Sequence, residues 1–271
     1  MTAARRLALL LAAGLAGAPA AGAQPARPRP PVTAGLGVVA APSPYAGVDA
    51  PDLTPVPFLN LELGRFYLRG VEAGYRLTQA GPLSLAAVVQ PRLRNLHAGD
   101  SPALAGMETR RRTAEGGLRA RLRAGRWHAG LRAVTDLLGR HDGQVVTAEA
   151  GVRLGGRRLS LSPTAGVEWQ STAFVDYYYG VRPAEARPGR PAYAPGSAAN
   201  PFVGAAARMR LGGSWGLFGY LRHTWLDRAV TDSPIVDRSV VYSGVLAVTY
   251  ALSANRGRPV PPESPTGPPR N

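Results

Sequence analysis

The sequence predicts an all-β protein, a transmembrane antiparallel β-barrel of about 12 strands with both termini in the periplasm. Three observations lead there. Segment after segment places its apolar residues at every second position, tight turns alternate with longer connections, and an N-terminal export segment is followed by no apolar run of spanning length.

The export segment comes first. Arg5 and Arg6 precede the apolar run Leu7 to Leu15, and the small residues Ala21, Gly22 and Ala23 precede Gln24. This is the layout of a cleavable signal peptide over residues 1–23, cut between Ala23 and Gln24. Its core is shorter than the roughly twenty residues of a spanning helix. Residues 24–31, QPARPRPP, read as an extended Pro-rich lead, and residues 32–252 as the barrel.

Within it Thr33 to Ala41 alternates, and Val56 to Leu63 sets Leu59, Leu61 and Leu63 against Asn60 and Glu62. Phe66 to Arg69, Val71 to Thr78 and Leu83 to Arg94 follow, the last with Arg92 and Arg94 on its polar side. Ala114 to Arg123 opposes Leu118, Ala120 and Leu122 to Glu115, Arg119, Arg121 and Arg123. Trp127 to Leu137 carries His128, Arg132 and Asp136 on its polar side, and Val145 to Leu154 carries Thr147, Glu149 and Arg153. The cleanest stretch is Arg158 to Gln170, with Leu159, Leu161, Pro163, Ala165, Val167 and Trp169 on one parity and Ser160, Ser162, Thr164 and Glu168 on the other. Side chains alternate faces along a strand, whereas a helix would mix the two sets. Pro201 to Leu211 includes Arg208 and Arg210, Trp215 to Leu226 is ambiguous because both parities hold aromatics, and Val241 to Ala251 closes the series. The tail, 253–271, is rich in Pro and Arg and reads as flexible.

Turns near Gly64, Ala80–Gly81, Gly125, Gly155 and Gly212 are short, while the intervening connections around 42–54, 96–113, 137–142, 171–200 and 227–238 are mostly longer. A soluble sandwich has no reason to alternate in this way; an outer-membrane barrel does, with short periplasmic turns and longer outer loops. Lipid cannot satisfy an open strand edge, so the sheet must close.

Three stretches carry a family resemblance: Pro57 to Leu68, Asp232 to Val236 (DSPIV), and Asp176 to Ala186 (DYYYGVRPAEA) followed by Tyr193. The motif residues are Asp176, Tyr177, Tyr178, Tyr179, Gly180, Val181, Glu185 and Ala186, with Asp232, Ser233 and Pro234. Together they resemble the MipA/OmpV family of Gram-negative outer-membrane proteins, over essentially the whole mature chain. The resemblance implies an outer-membrane barrel that scaffolds murein synthesis through a lytic transglycosylase and a penicillin-binding protein. Other members are described as porin-like proteins or adhesins. The Pro-rich tail beyond Leu252 departs from a family whose chains end on an aromatic last strand, which leaves the part of Tyr250 in assembly open.

The polar parity supplies a lumen lining of Arg92, Arg94, Glu115, Arg119, Arg121, Arg132, Glu149, Arg153, Glu168, Arg208 and Arg210. Two readings stand. Arg and Glu pair across strands and plug the lumen, or the arginine excess makes a narrow, anion-preferring channel. Loop tyrosines 177–179 either join an aromatic girdle or pack in the loop, or they form an external recognition surface for an adhesin. The tail reads as a passive extension or a partner-binding segment.

The net charge of +15 comes entirely from arginine, with no lysine in the chain, and an exported protein seldom meets nucleic acid, so no nucleic-acid partner is expected. The partners expected are outer-membrane lipid and lipopolysaccharide, with the murein hydrolase and penicillin-binding protein that the resemblance adds. With no cysteine, thiolate metal sites and thiol nucleophiles are excluded. His128 and Asp136 lie about 26 Å apart along one strand, and no spacing among His97, His128, His141 and His223 marks a triad or metal site. No catalytic residue, metal or cofactor is expected.

Overall fold

The computed structural model describes residues 32–41, 43–49 and 51–252. The expected signal peptide with its Ala23–Gln24 cleavage point, the Pro-rich lead 24–31 and the tail 253–271 lie outside the described residues.

One antiparallel sheet runs through the chain: β1 (Thr33–Ala41), β2 (Asp52–Leu63), β3 (Phe66–Gly70), β4 (Glu72–Ala80), β5 (Leu83–Arg92), β6 (Thr113–Ala124), β7 (Trp127–Asp136), β8 (Gln144–Val152, resuming at Leu154–Gly155), β9 (Leu159–Gln170), β10 (Ala198–Gly212), β11 (Trp215–Trp225) and β12 (Val240–Ala251). Each strand pairs with its sequence neighbours, and β12 returns to β1 from Thr33↔Ala251 to Ala40↔Gly244, so the twelve strands close. The break in β8 has a local cause. The register of β8 with β9 would set Pro163 opposite Val152, and a proline has no N–H to give the ladder.

Two-residue turns at Gly64–Arg65 and Gly125–Arg126 mark one end; Gly64 takes φ +61, which suits a glycine there. Longer loops mark the other. β2 begins at Asp52 rather than Val56, so the first loop is shorter than the composition suggested. The 171–200 connection is not irregular throughout: it holds α1 (Thr172–Tyr179) and a 3-10 turn at Pro183–Glu185. A further short helix, α2 (Arg228–Thr231), lies in the last loop.

The apolar parity faces outward around the wall, with Leu36, Leu63, Leu131, Leu159, Leu221 and Leu246 all exposed. That outward apolar belt is what a hydrocarbon environment stabilises. Aromatics ring both rims. Trp127 and the packed pairs Phe66–Tyr75 and Trp215–Tyr250 mark the short-turn end, and Trp169, Trp225 and Tyr242 the loop end. The ambiguous strand β11 is resolved by its neighbours. Phe218 and Tyr220 point inward, where Phe58 lies 4.8 Å from Phe218, while Trp215, Leu221 and Trp225 point out.

Candidate functional site

The barrel interior changes character from one end to the other. Along the interior, register brings opposite charges together. Glu115 stands opposite Gln90 across β5 and β6, so Arg92, two residues along, reaches its carboxylate at 2.8 Å. Arg119 pairs with Glu72 at 2.5 Å, Arg222 with Glu168 at 3.2 Å, and Glu62 takes both Arg69 at 2.7 Å and Arg76 at 3.5 Å. Arg132 is held by neutral partners, Gln90 Oε1 at 2.7 Å and Thr147 Oγ1 at 3.3 Å. Such charge-assisted bonds are what allow guanidinium and carboxylate groups to sit away from water.

The loop end is covered by a core of its own. Phe174, Val175, Tyr178, Tyr179 and Val181 from α1 and its sequel pack with Tyr45, Leu96, Leu104, Met107, Val230 and Ile235 from the other long loops. This cap lies directly on lumen groups: the Arg92 guanidinium stands 5.2 Å from the Phe174 ring centre, and the His141 ring 5.0 Å from it edge-on. Polar bonds tie the loops together. Tyr45 Oη donates to Tyr178 O at 3.0 Å, Ser233 Oγ to Tyr179 O at 2.6 Å, and the Arg111 amide to Tyr177 Oη at 2.8 Å. Desolvation by burial pushes Tyr178 up to about 12 and raises Tyr45 further, so both phenols stay neutral.

Beside this apolar core sits a buried ion pair. Both oxygens of Glu185 accept from Arg110 Nη2, at 2.8 and 3.0 Å, and the same carboxylate takes the amides of Glu108 at 2.8 Å and Arg182 at 3.0 Å. Burial raises the Glu185 pKa, but those amide bonds and Arg110 outweigh it and hold the group below the usual carboxylate range. His141 is held neutral chiefly by burial; its Nδ1 accepts from the Gly143 amide at 2.9 Å, which leaves the proton on Nε2, 3.7 Å from Glu115.

The short-turn end is open and mostly cationic, although Glu62, two residues from the Gly64 turn, pairs there with Arg69 and Arg76. A cavity of about 530 Å³ there is lined by Arg121, Arg123, Arg126, Arg153 and Arg208, with Glu149 its single acid. Among the described residues none of Arg121, Arg123, Arg153 and Arg208 has a carboxylate within ion-pair distance. Arg208 stacks on Phe218 at 5.0 Å instead, and Arg210 is exposed at the rim beyond it. Unopposed cations in one basin focus a field that favours anionic ligands and partners.

Sequence parity does not tell which of these arginines have partners. Among the described residues Arg94 pairs with no acid and stacks on Tyr179 at 5.2 Å, and Glu149 likewise makes no ion pair. Of the family motifs, Tyr178, Tyr179, Gly180, Val181, Glu185 and Ser233 are buried in the cap; Asp176, Ala186 and Asp232 are exposed, with Tyr177 and Pro234 between. Gly180 is required by close approach: a Cβ there would run into the Asp176 carboxylate and carbonyl. Sequence reading missed Arg110, Tyr45 and Arg222. Arg110 lies in an arginine triplet with no period, and Arg222 on the strand whose parity was ambiguous. His223 faces outward between Trp225 and Tyr242, 4.3 and 4.7 Å away.

A closed antiparallel barrel with an apolar belt, aromatic rims and a charged interior is an outer-membrane protein of the Gram-negative type. The family profile described as MltA-interacting protein MipA matches residues 34–252, and the chain belongs to that family. It is 33% identical to the MltA-interacting protein of Escherichia coli K12 over 257 residues, covering 89% of this chain and 97% of the relative. It is 30% identical to the putative outer membrane protein YiaT of the same organism, covering 80% and 89% of the two chains. Among solved structures, the outer-membrane-expressed OmpT of Vibrio cholerae aligns at TM-score 0.34 with 7% identity, over 81% of this chain and 97% of that one.

Proposed function

We propose that this barrel is a non-enzymatic docking platform that holds a murein-processing enzyme at the outer membrane. Its short-turn end, with both termini, faces the periplasm. One observation carries the reading: the loop end is covered by a cap with its own core, while the opposite end is an open basin in which Arg121, Arg123, Arg153 and Arg208 have no carboxylate partner among the described residues. A lumen covered by packed loops argues against free solute passage, and an exposed cationic basin suits an acidic segment of a partner. The relative that is named for interacting with MltA points to an MltA-type enzyme as that partner; the family resemblance adds that this is a lytic transglycosylase, with a penicillin-binding protein as a second partner.

The test is capture of a purified MltA-type transglycosylase by the barrel in nanodiscs. Replacing Arg121, Arg123, Arg153 and Arg208 together by Gln should weaken binding roughly tenfold or more and flatten its salt dependence. Unchanged capture by a folded variant would overturn the basin as contact surface. The rival reading, a narrow anion-preferring channel, draws on the same arginines but requires the cap to open.

A further inference from the structure

The barrel wall is not of uniform height. β3 and β4 turn back at Gly70–Val71, where Gly70 takes φ +63, and their ladders reach β2 only as far as Leu59 and β5 only as far as Val89. Towards the loop end, Asp52 to Phe58 of β2 pair with β1 alone, and Gln90 to Arg92 of β5 pair with β6 alone. Two strand edges without a ladder partner thus face each other across a slot, at whose upper end Arg112 donates to the Asp52 and Thr54 side chains at 2.8 and 3.2 Å.

The residues on those edges are chosen for having no neighbour. Alternate residues of a strand direct their backbone groups to opposite sides. The β1–β2 ladder runs unbroken past Pro55 and Pro57, and the β5–β6 ladder past Pro91, which requires all three ring nitrogens to be turned from their paired strand and into the slot. Inside the closed wall, by contrast, Pro163 interrupts a ladder. Proline suits an edge that nothing pairs, because it removes the orphan donor. All three prolines are exposed, as is Leu53 beside them.

Above the slot lies a cavity of about 230 Å³, lined by Ala41, Tyr45 and Asp52 on one side and by Gln90, Arg92 and Arg94 on the other. Arg92 is committed to Glu115. Arg94 is not: its Nη1 is buried with no hydrogen-bond partner among the described residues, and its guanidinium stands 5.9 and 5.2 Å from the Tyr178 and Tyr179 ring centres. A buried cation without an anion is costly, and the slot beside it presents the exposed apolar side chains of Leu53, Pro55, Pro57 and Pro91, which an acyl chain can cover.

We propose that the slot between β2 and β5 seats one phosphate-bearing membrane lipid, its phosphate at Arg94 and one acyl chain lying down the wall against Leu53, Pro55, Pro57 and Pro91. The dimensions agree. The unpaired run of β2 is about 20 Å long at a strand rise near 3.3 Å, and the half-thickness of a bilayer core is roughly 15 Å, crossed by tilted strands. The lipid completes the wall where the short β3–β4 hairpin does not, and supplies the anion that Arg94 lacks.

The test is photo-crosslinking of the mature barrel in nanodiscs containing phosphatidylglycerol with a diazirine in one acyl chain. Adducts should concentrate on the peptides carrying Pro55 to Phe58 and Val89 to Leu93. They should fall roughly tenfold in Arg94→Met, the scale of one lost charge-assisted contact. Arg94→Lys should keep most of the labelling, and Arg140→Met, an exposed loop arginine, all of it. A diacylglycerol with the same diazirine chain but no phosphate should label the belt without preference. Retention of the heat-dependent gel shift shows that each variant is folded. Even labelling around the belt, equal labelling in Arg94→Met, or displacement by inorganic phosphate alone would overturn the proposal, the last by assigning Arg94 to free anions.

Discussion

Replacing Glu185 by Ala should loosen the cap and leave the barrel standing. The carboxylate answers one buried guanidinium, that of Arg110, which is 2% exposed, and two backbone amides. Orphaning a buried ion partner costs about 3–5 kcal/mol. The lower end applies here, because Arg110 Nη1 has a second, exposed acid, Glu108, at 3.6 Å. About 3 kcal/mol corresponds to roughly a hundredfold shift in a local opening equilibrium. Hydrogen exchange read by mass spectrometry should therefore show the amides of Tyr179 to Val181 exchanging on the order of a hundred times faster, with strand amides unchanged. The paired change Arg110→Met with Glu185→Leu should recover part of the protection, since it leaves neither member of the pair buried without its partner, while the Glu108 and Arg182 amides lose their acceptor. Exchange in Glu185→Ala within about threefold of wild type would refute the claim that this pair holds the cap.

Two further outcomes follow from the same geometry. Glu185 and His141 both have folded pKa values below their unfolded ones, so each contributes stability that is complete above its unfolded value and is lost as pH falls through the folded one. Cap protection should thus decline from about pH 6.5 downward, first through His141 and then through Glu185 below about 4.3, and exchange measured across that range checks it; protection that rises on acidification would contradict the assignment. Gly143→Ala should unseat α1, because a Cβ there would stand 2.6 Å from the Phe174 amide nitrogen and 2.7 Å from its Cβ. The cost expected is about 1–3 kcal/mol, visible as trypsin cleavage in the 182–190 stretch while the heat-modifiable barrel band persists.

Strand identity was legible because membrane and lumen impose opposite chemistries on alternate positions, and segments such as Leu159–Gln170 obey them without exception. Legibility failed where that contrast fails. On β11 the lumen itself is aromatic, since Phe218 stacks with Phe58 and carries Arg208, so parity no longer separates the faces. The cap was unreadable for another reason. Its core is assembled from four loops distant in sequence, and Tyr45, Leu104, Phe174 and Ile235 have no period to reveal that they meet. Parity alone does not tell paired arginines from unpaired ones, and only register distinguishes Arg119, paired with Glu72, from Arg121, two residues on and unpaired. Prolines 55, 57 and 91 were visible throughout, but their meaning depends on a hairpin whose height the sequence does not state.

The measurement that tests the central claim most directly is single-channel recording of the mature barrel in a planar bilayer, for wild type and for Glu185→Ala. A barrel sealed at its loop end should be silent as wild type, and the variant should show intermittent, anion-favouring openings as the cap lifts from Arg92 and Arg94. A steady anion current through the wild-type protein would contradict the sealed lumen and make the arginine basin the vestibule of a pore.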